Sequence, residues 1–277
     1  MRLRQGLFRA ALLASVAVGL LALGALVVRV VIDGWSYLDW ALLSNAPSSD
    51  STVAGARPAI LATLELMAIV IVLGVPVGVG TAIYLEEFAD GRRWYNRLLE
   101  VNIQNLAAVP SIVYGILGLG FLVHGANLGR VLLAGGLILT LLVLPTIIIA
   151  ARESIRAVPQ GVRLGAFALG ATPWQVVSKQ VLPAAIPGIA TGSILALSRA
   201  IGESAPLLMI GALLYAPKDP TLLSGFVALP VQIYNWIRLP QPEFHGLAAA
   251  AIVVLLVLLL TMNAVAILLR NRFQRRW

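Results

Sequence analysis

Arg199 and Glu203 stand four positions apart, a spacing that puts both side chains on one face of a helix, inside a stretch from about Ala184 to Leu214 that is otherwise apolar. A charge at the centre of a membrane-spanning helix costs about 2.5–3.5 kcal/mol on insertion scales, so both groups should face a protein interior or a watery pathway and not lipid. Two roles fit that placement. As a buried ion pair they would fix helix packing. As pathway residues, Arg199 would be a transient partner for a passing oxyanion, its planar fork matched to the oxygens, and Glu203 would hold or gate it.

Weaker candidates surround this pair. Asn105 and Ser111 flank Pro110 in another apolar stretch, where the proline must free a backbone carbonyl and kink the helix; a pathway role and a packing role are both open for them. Glu65 reads as a polar contact near a helix end. His124 and His245 have no Cys, His or acidic companions at metal-ligand spacing, so no metal site is expected. The chain has no cysteine, which removes thiolate chemistry and disulfides. No nucleophile, base and orienter set is visible. The only lysines, Lys179 and Lys218, follow Ser178 and Pro217, so no Gly-Lys-Ser/Thr phosphate loop exists. The chain is not expected to be an enzyme or to bind a cofactor of its own.

The elements that must position these residues follow from composition. Of 277 residues, 60% are hydrophobic and 12% charged, against roughly 25% charged in a soluble domain, and mean hydropathy is +0.93. A water-soluble globule is excluded. Six apolar stretches are long enough to cross a bilayer as helices: Ala10 to Val28, Leu66 to Leu85, one within Val101 to Gly129, Val131 to Ala151, about Ala184 to Leu214, and Gly246 to Leu269. Gly74, Gly78, Gly118, Gly120, Gly188 and Gly192 are read as points of close helix contact. No internal repeat of the kind found in many secondary carriers is visible.

With the amino terminus inside, 14 of the 20 basic residues fall on the inner side, among them Arg92, Arg93, Arg152, Arg156 and Arg163. This bias places both termini in the cytoplasm and accounts for the net charge of +8 without a nucleic-acid partner. Residues 1–57 then form an anchor helix and an outer loop, 58–270 the membrane unit, and 271–277 a basic tail. The inner segment of about 152–183 is too long for a turn. It contains helical text from Val162 to Leu169, a turn at Gly170, and a second helix opened by Pro173 after Thr172 as cap.

Within that corner, Gly165-Ala-Phe-Ala-Leu-Gly170 followed by Leu182-Pro183 resembles the cytoplasmic coupling loop of ABC-importer permeases. Further strings in order, including Leu106-Ala-Ala-Val-Pro-Ser-Ile-Val-Tyr-Gly115, Leu169-Gly-Ala-Thr-Pro-Trp-Gln175, Arg199-Ala-Ile-Gly-Glu-Ser-Ala-Pro206 and Leu229-Pro-Val-Gln-Ile-Tyr234, are similar to the phosphate-specific permeases of PstA type. The likeness runs from about Pro58 to Leu269. It departs from the family pattern where Leu164 replaces the loop's usual acid and Gly165 its first alanine.

The resemblance implies an all-α integral membrane protein of type I ABC-importer permease architecture in a bacterial inner membrane. Gly165, Ala166, Ala168 and Gly170 would dock on a cytoplasmic ABC ATPase dimer that binds ATP and magnesium. It also implies a second permease chain (PstC-like) and an extracytoplasmic phosphate-binding protein as partners. Arg199, Glu203, Asn105 and Ser111 would line the translocation pathway. Two rivals remain at this stage: a permease for sulfate or molybdate, and a self-sufficient carrier or channel.

Overall fold

Long apolar runs in hydrocarbon must bond their backbone groups internally, which leaves helices as the solution. The computed structural model describes residues 2–210 and 219–273. Within them lie α1 (Arg2–Gly34), α2 (Arg57–Phe88), α3 (Trp94–Ala107), α4 (Ser111–Gly125), α5 (Leu132–Arg156), α6 (Gln160–Ala168), α7 (Pro173–Ile201), α8 (Ala205–Ile210), α9 (Leu229–Ile237) and α10 (Pro242–Phe273). No strand occurs among the described residues. Helices α1, α2, α5, α7 and α10 are each long and apolar enough to span, and α3 with α4 form a pair bent by 107°, the geometry of a broken span or a re-entrant loop. The kink expected at Pro110 falls at this bend, since Pro110 has an extended ψ of 138° and stands just before Ser111.

The core is built on α5. Ile138, Leu139, Leu142, Val143 and Ile147 of this helix are buried against Leu66, Met67 and Val70 of α2 and Ala196 and Ala200 of α7. Lipid tails are as apolar as leucine, so close van der Waals fit holds such a bundle together, and small residues set how near two helices come. Four of the six glycines expected at contacts are there. A Cβ at Gly118 would collide with Ile138, one at Gly192 with Ala150, one at Gly78 with Ile147, and one at Gly188 with Ser154. Gly74 has ordinary contact room, and Gly120 faces open space.

Helix α1 stands apart from this core, with most of its apolar side chains between Phe8 and Ile32 exposed. It meets α10 where a Cβ on Gly34 would come within 2.6 Å of the Ala250 backbone. Between α1 and α2, Asp50 accepts from the hydroxyl (2.7 Å) and amide (2.9 Å) of Thr52. These bonds hold its carboxyl below the usual carboxylate range.

Two expectations need correction. The stretch read as a span from Ala184 to Leu214 does not run as one helix: α7 begins at Pro173 and stops at Ile201, with Gly202 as its cap. Arg199 is therefore in the last turn of α7 and not in the middle of a span. The reason is local, because Gly202 offers the stop and Pro206, which has no N–H to donate back to the preceding turn, suits the first turn of a new helix and not the interior of the old one. The carboxyl end of that stretch, including Leu214, lies outside the described residues. Glu65, read as near a helix end, stands in the third turn of α2, where one of its carboxylate oxygens is buried with no hydrogen-bond partner.

Candidate functional site

Two breaks in the helices define the first part of the site. At one, α3 ends at Ala107 with Asn105 in its last turn, and Ser111 opens α4 after Pro110. The Tyr114 hydroxyl donates to the Leu106 carbonyl (2.9 Å), tying the two halves across the bend. At the other, α7 ends at Ile201 and α8 begins at Ala205, with Arg199 before the gap and Glu203 within it. Arg199 Nε donates to Glu203 Oε1 at 3.4 Å. The arginine side chain is 47% exposed and the glutamate 17%, so the guanidinium still has open donors in the isolated chain.

The breaks are neighbours. A Cβ on Gly115 of α4 would come within 2.7 Å of Pro206 and 2.8 Å of Met209 on α8, so the glycine lets these short helices touch. Arg199 also lies within electrostatic reach of Tyr114. Discontinuous helices supply unpaired carbonyl and amide groups at membrane depth, tolerated only where they line a cavity or are buried in protein. A positive, forked group beside such a break can meet an anion with several oxygens. Asn105 is exposed and Ser111 half-buried.

The second part is the corner formed by α6 and the start of α7. Gly170 has φ of +79°, the left-handed region in which a glycine has no Cβ penalty. Around it the amide of Gly170 donates to Phe167 (2.9 Å) and that of Ala171 to Ala166 (3.1 Å), the paired bonds of a Schellman stop. Thr172 and Gln175 then close a reciprocal capping box at the start of α7, as [S/T]-x-x-[E/Q] spacing allows. The corner expected from sequence is thus present. Gly165, Ala168 and Gly170 are exposed on it, whereas Ala166 packs inward against Val158, Val176 and their neighbours. Large apolar side chains also project from it: Leu164 (64% exposed), which stands where the family pattern has an acid, with Phe167, Leu169 (90%) and Trp174. Exposed apolar clusters of this kind mark contact with another protein or with a membrane.

Beneath the corner lies a network that sequence reading missed. Arg152 donates to Glu86 (2.7 Å) and Glu100 (2.9 Å), and Arg156 to Glu86 (2.8 Å). Arg163 donates to Glu87 through Nε (3.2 Å) and Nη2 (2.7 Å). Its remaining donors reach the carbonyls of Val158 (2.6 Å) and Ile155 (2.9 Å). Arg152, Glu86, Arg163 and Glu87 are each nearly buried. Glu153 adds a contact of 3.5 Å with Arg156, so three arginines here face four carboxylates, Glu86, Glu87, Glu100 and Glu153. The available signal was the Glu86-Glu87 pair at the end of one apolar run, matched by basic residues at the end of another.

Broken helices gathered on a central helix, with an apolar helical corner at one end, are the architecture of type I ABC-importer permeases. A chain in the crystal structure of a bacterial alginate ABC transporter, in complex with alginate pentasaccharide-bound periplasmic protein, superposes with a TM-score of 0.65, covering 95% of this chain and 93% of that one at 19% identity. A chain of the MetNI methionine ABC transporter in an inward-facing conformation gives 0.60, covering 77% and 92% at 22% identity.

Sequence relatives are nearer. The chain is 30% identical to "Phosphate transport system permease protein PstA 1" of Mycobacterium tuberculosis (strain CDC 1551 / Oshkosh), over 95% of this chain and 87% of the relative. It is 34% identical to "Phosphate transport system permease protein PstA 2" of Mycobacterium bovis, over 86% and 78%. It is 31% identical to "Probable ABC transporter permease protein YqgI" of Bacillus subtilis (strain 168), over 76% and 70%. Residues 74–277 match the model of the binding-protein-dependent transport system inner membrane component, and the chain belongs to that family.

Proposed function

We propose that this permease conducts phosphate inward as one half of an ATP-driven importer. The observation that carries the reading is the pair of adjacent helix breaks with Arg199 between them, in a chain whose relatives over nearly its whole length are phosphate transport permeases. In this reading an extracytoplasmic binding protein delivers phosphate at the end carrying α9. A second permease chain, PstC-like, completes the path. Arg199 meets the anion transiently, Glu203 recaptures the guanidinium once the anion has left, and Asn105 and Ser111 line the facing break. Leu164, Phe167, Leu169 and Trp174 seat the corner in a cytoplasmic ABC ATPase dimer, together with Gly165, Ala168 and Gly170. ATP and magnesium belong to that dimer, and the assembled complex is the phosphate-translocating ATPase.

The apolar corner bears on the mode of docking. Where the family pattern has an acid, Leu164 is exposed, so contact there rests on apolar burial, worth about 25 cal/mol per Å² removed from water, and is insensitive to salt. The test is to purify the complex through a tag on this chain, reconstitute it with its binding protein, and measure ATPase rate against added phosphate and sulfate. Phosphate-selective stimulation is expected. Stimulation by sulfate in its place, with an active ATPase present, would refute the substrate assignment.

A further inference from the structure

The network beneath the corner joins elements that the chain itself does not join. Helix α6 follows α5 after three residues, so any force on the corner reaches α5 directly through the backbone. Helix α2 lies more than 70 residues upstream of Arg163, yet its last turn is held to the corner by the Arg163–Glu87 pair. That turn is a wide one, in which the Ala89 amide reaches back five residues to Tyr84 (2.8 Å). Arg163 also donates to the Ile155 carbonyl in the last turn of α5 and to the Val158 carbonyl in the link that follows, so one guanidinium fastens α2, α5 and α6 at a single point. Arg152 extends the tie from α2 to Glu100 of α3, the helix that carries Asn105 in its last turn and ends at the break.

We propose that Arg163 and Glu87 are positioning residues that make α2 and α3 move with the coupling corner, so that ATP-driven motion of the corner reaches the helix break. The proposal rests on the importer function set out above. Charge and geometry both favour it: the pair is nearly buried, bidentate on the arginine side, and surrounded by partners that leave little freedom to slide. Without it, α6 would still dock on the ATPase and still pull on α5 and α7. The end of α2, and α3 through Arg152, would lag behind.

The test uses the full complex in vesicles, with phosphate-loaded binding protein outside and ATP inside. Glu87→Gln keeps the shape and an acceptor oxygen but removes the charge. The expected result is unchanged assembly and ATPase stimulation, with phosphate taken up per ATP hydrolysed reduced about tenfold. A normal ratio overturns the proposal. A second measurement leaves the network intact: Phe88→Cys and Gly161→Cys, both exposed in a chain without native cysteine, carry spin labels at the end of α2 and on α6. Their separation should stay constant to within about 2 Å between the nucleotide-free and ATP-bound complex, and a larger change overturns the proposal even if Glu87→Gln fails to assemble. Absence of ATP-dependent phosphate uptake by the unmodified complex would instead refute the importer reading itself.

Discussion

At the carboxyl end of a helix the unpaired carbonyls favour a cation, and Arg199 occupies such a last turn in α7. Its pairing with Glu203 is a half-exposed contact of 3.4 Å, of a kind that contributes little to stability, so loss of Arg199 should spare the fold. Arg199→Ala is expected to retain its partners on co-purification while losing phosphate uptake by about 100-fold, and Arg199→Lys, with charge but no fork, to lose about tenfold. Radiolabelled uptake into vesicles separates the two, and normal transport by the alanine variant would remove Arg199 from the pathway. A glycine pair tests packing at the same scale. Gly118→Ala should cost about 1–3 kcal/mol because its methyl meets Ile138. Gly120→Ala, facing open space, should be neutral or stabilise by up to about 1 kcal/mol. Thermal melting of the purified complex in detergent should fall for the first variant and not for the second, and equal shifts would contradict the helix contact.

Elements were legible in the sequence wherever local chemistry decides them. Gly170, Thr172, Pro173 and Gln175 carry their own instructions for a helix stop and restart, and the corner forms where those residues predict it. Pro110 likewise announces the bend between α3 and α4. The end of α7 was misplaced because an apolar run was weighted above Gly202 and Pro206, which were equally visible. The ion network was not legible, since its partners lie 52 to 76 residues apart and only tertiary packing brings them within reach. The same division predicts how the corner fails. Gly170→Val must take up a left-handed backbone at roughly 1–2 kcal/mol, and Thr172→Ala loses a cap worth about 1 kcal/mol. Both should lower the fraction of ATPase retained on the tagged permease during washing. The valine variant should be the more affected, and full retention in both would mean that the docked surface does not depend on this turn.

For the whole molecule, orientation decides whether the parts can work together. The charged network and the corner share one end of the bundle, while the loop before α2 and helix α9 occupy the other. The excess of basic residues on the corner side of the predicted spans argues that this end is cytoplasmic, and an ATPase can meet the corner only there. The absence of native cysteine makes the arrangement directly measurable. Val53→Cys places a half-exposed thiol at the far end. Gly161→Cys places one on α6 where a side chain meets nothing. In cells whose outer barrier is opened but whose inner membrane is sealed, a membrane-impermeant maleimide should label the first and spare the second until the membrane is permeabilised. The reverse pattern would put the corner out of reach of ATP, and then neither the coupling surface nor the network beneath it could serve an importer, however well each is built.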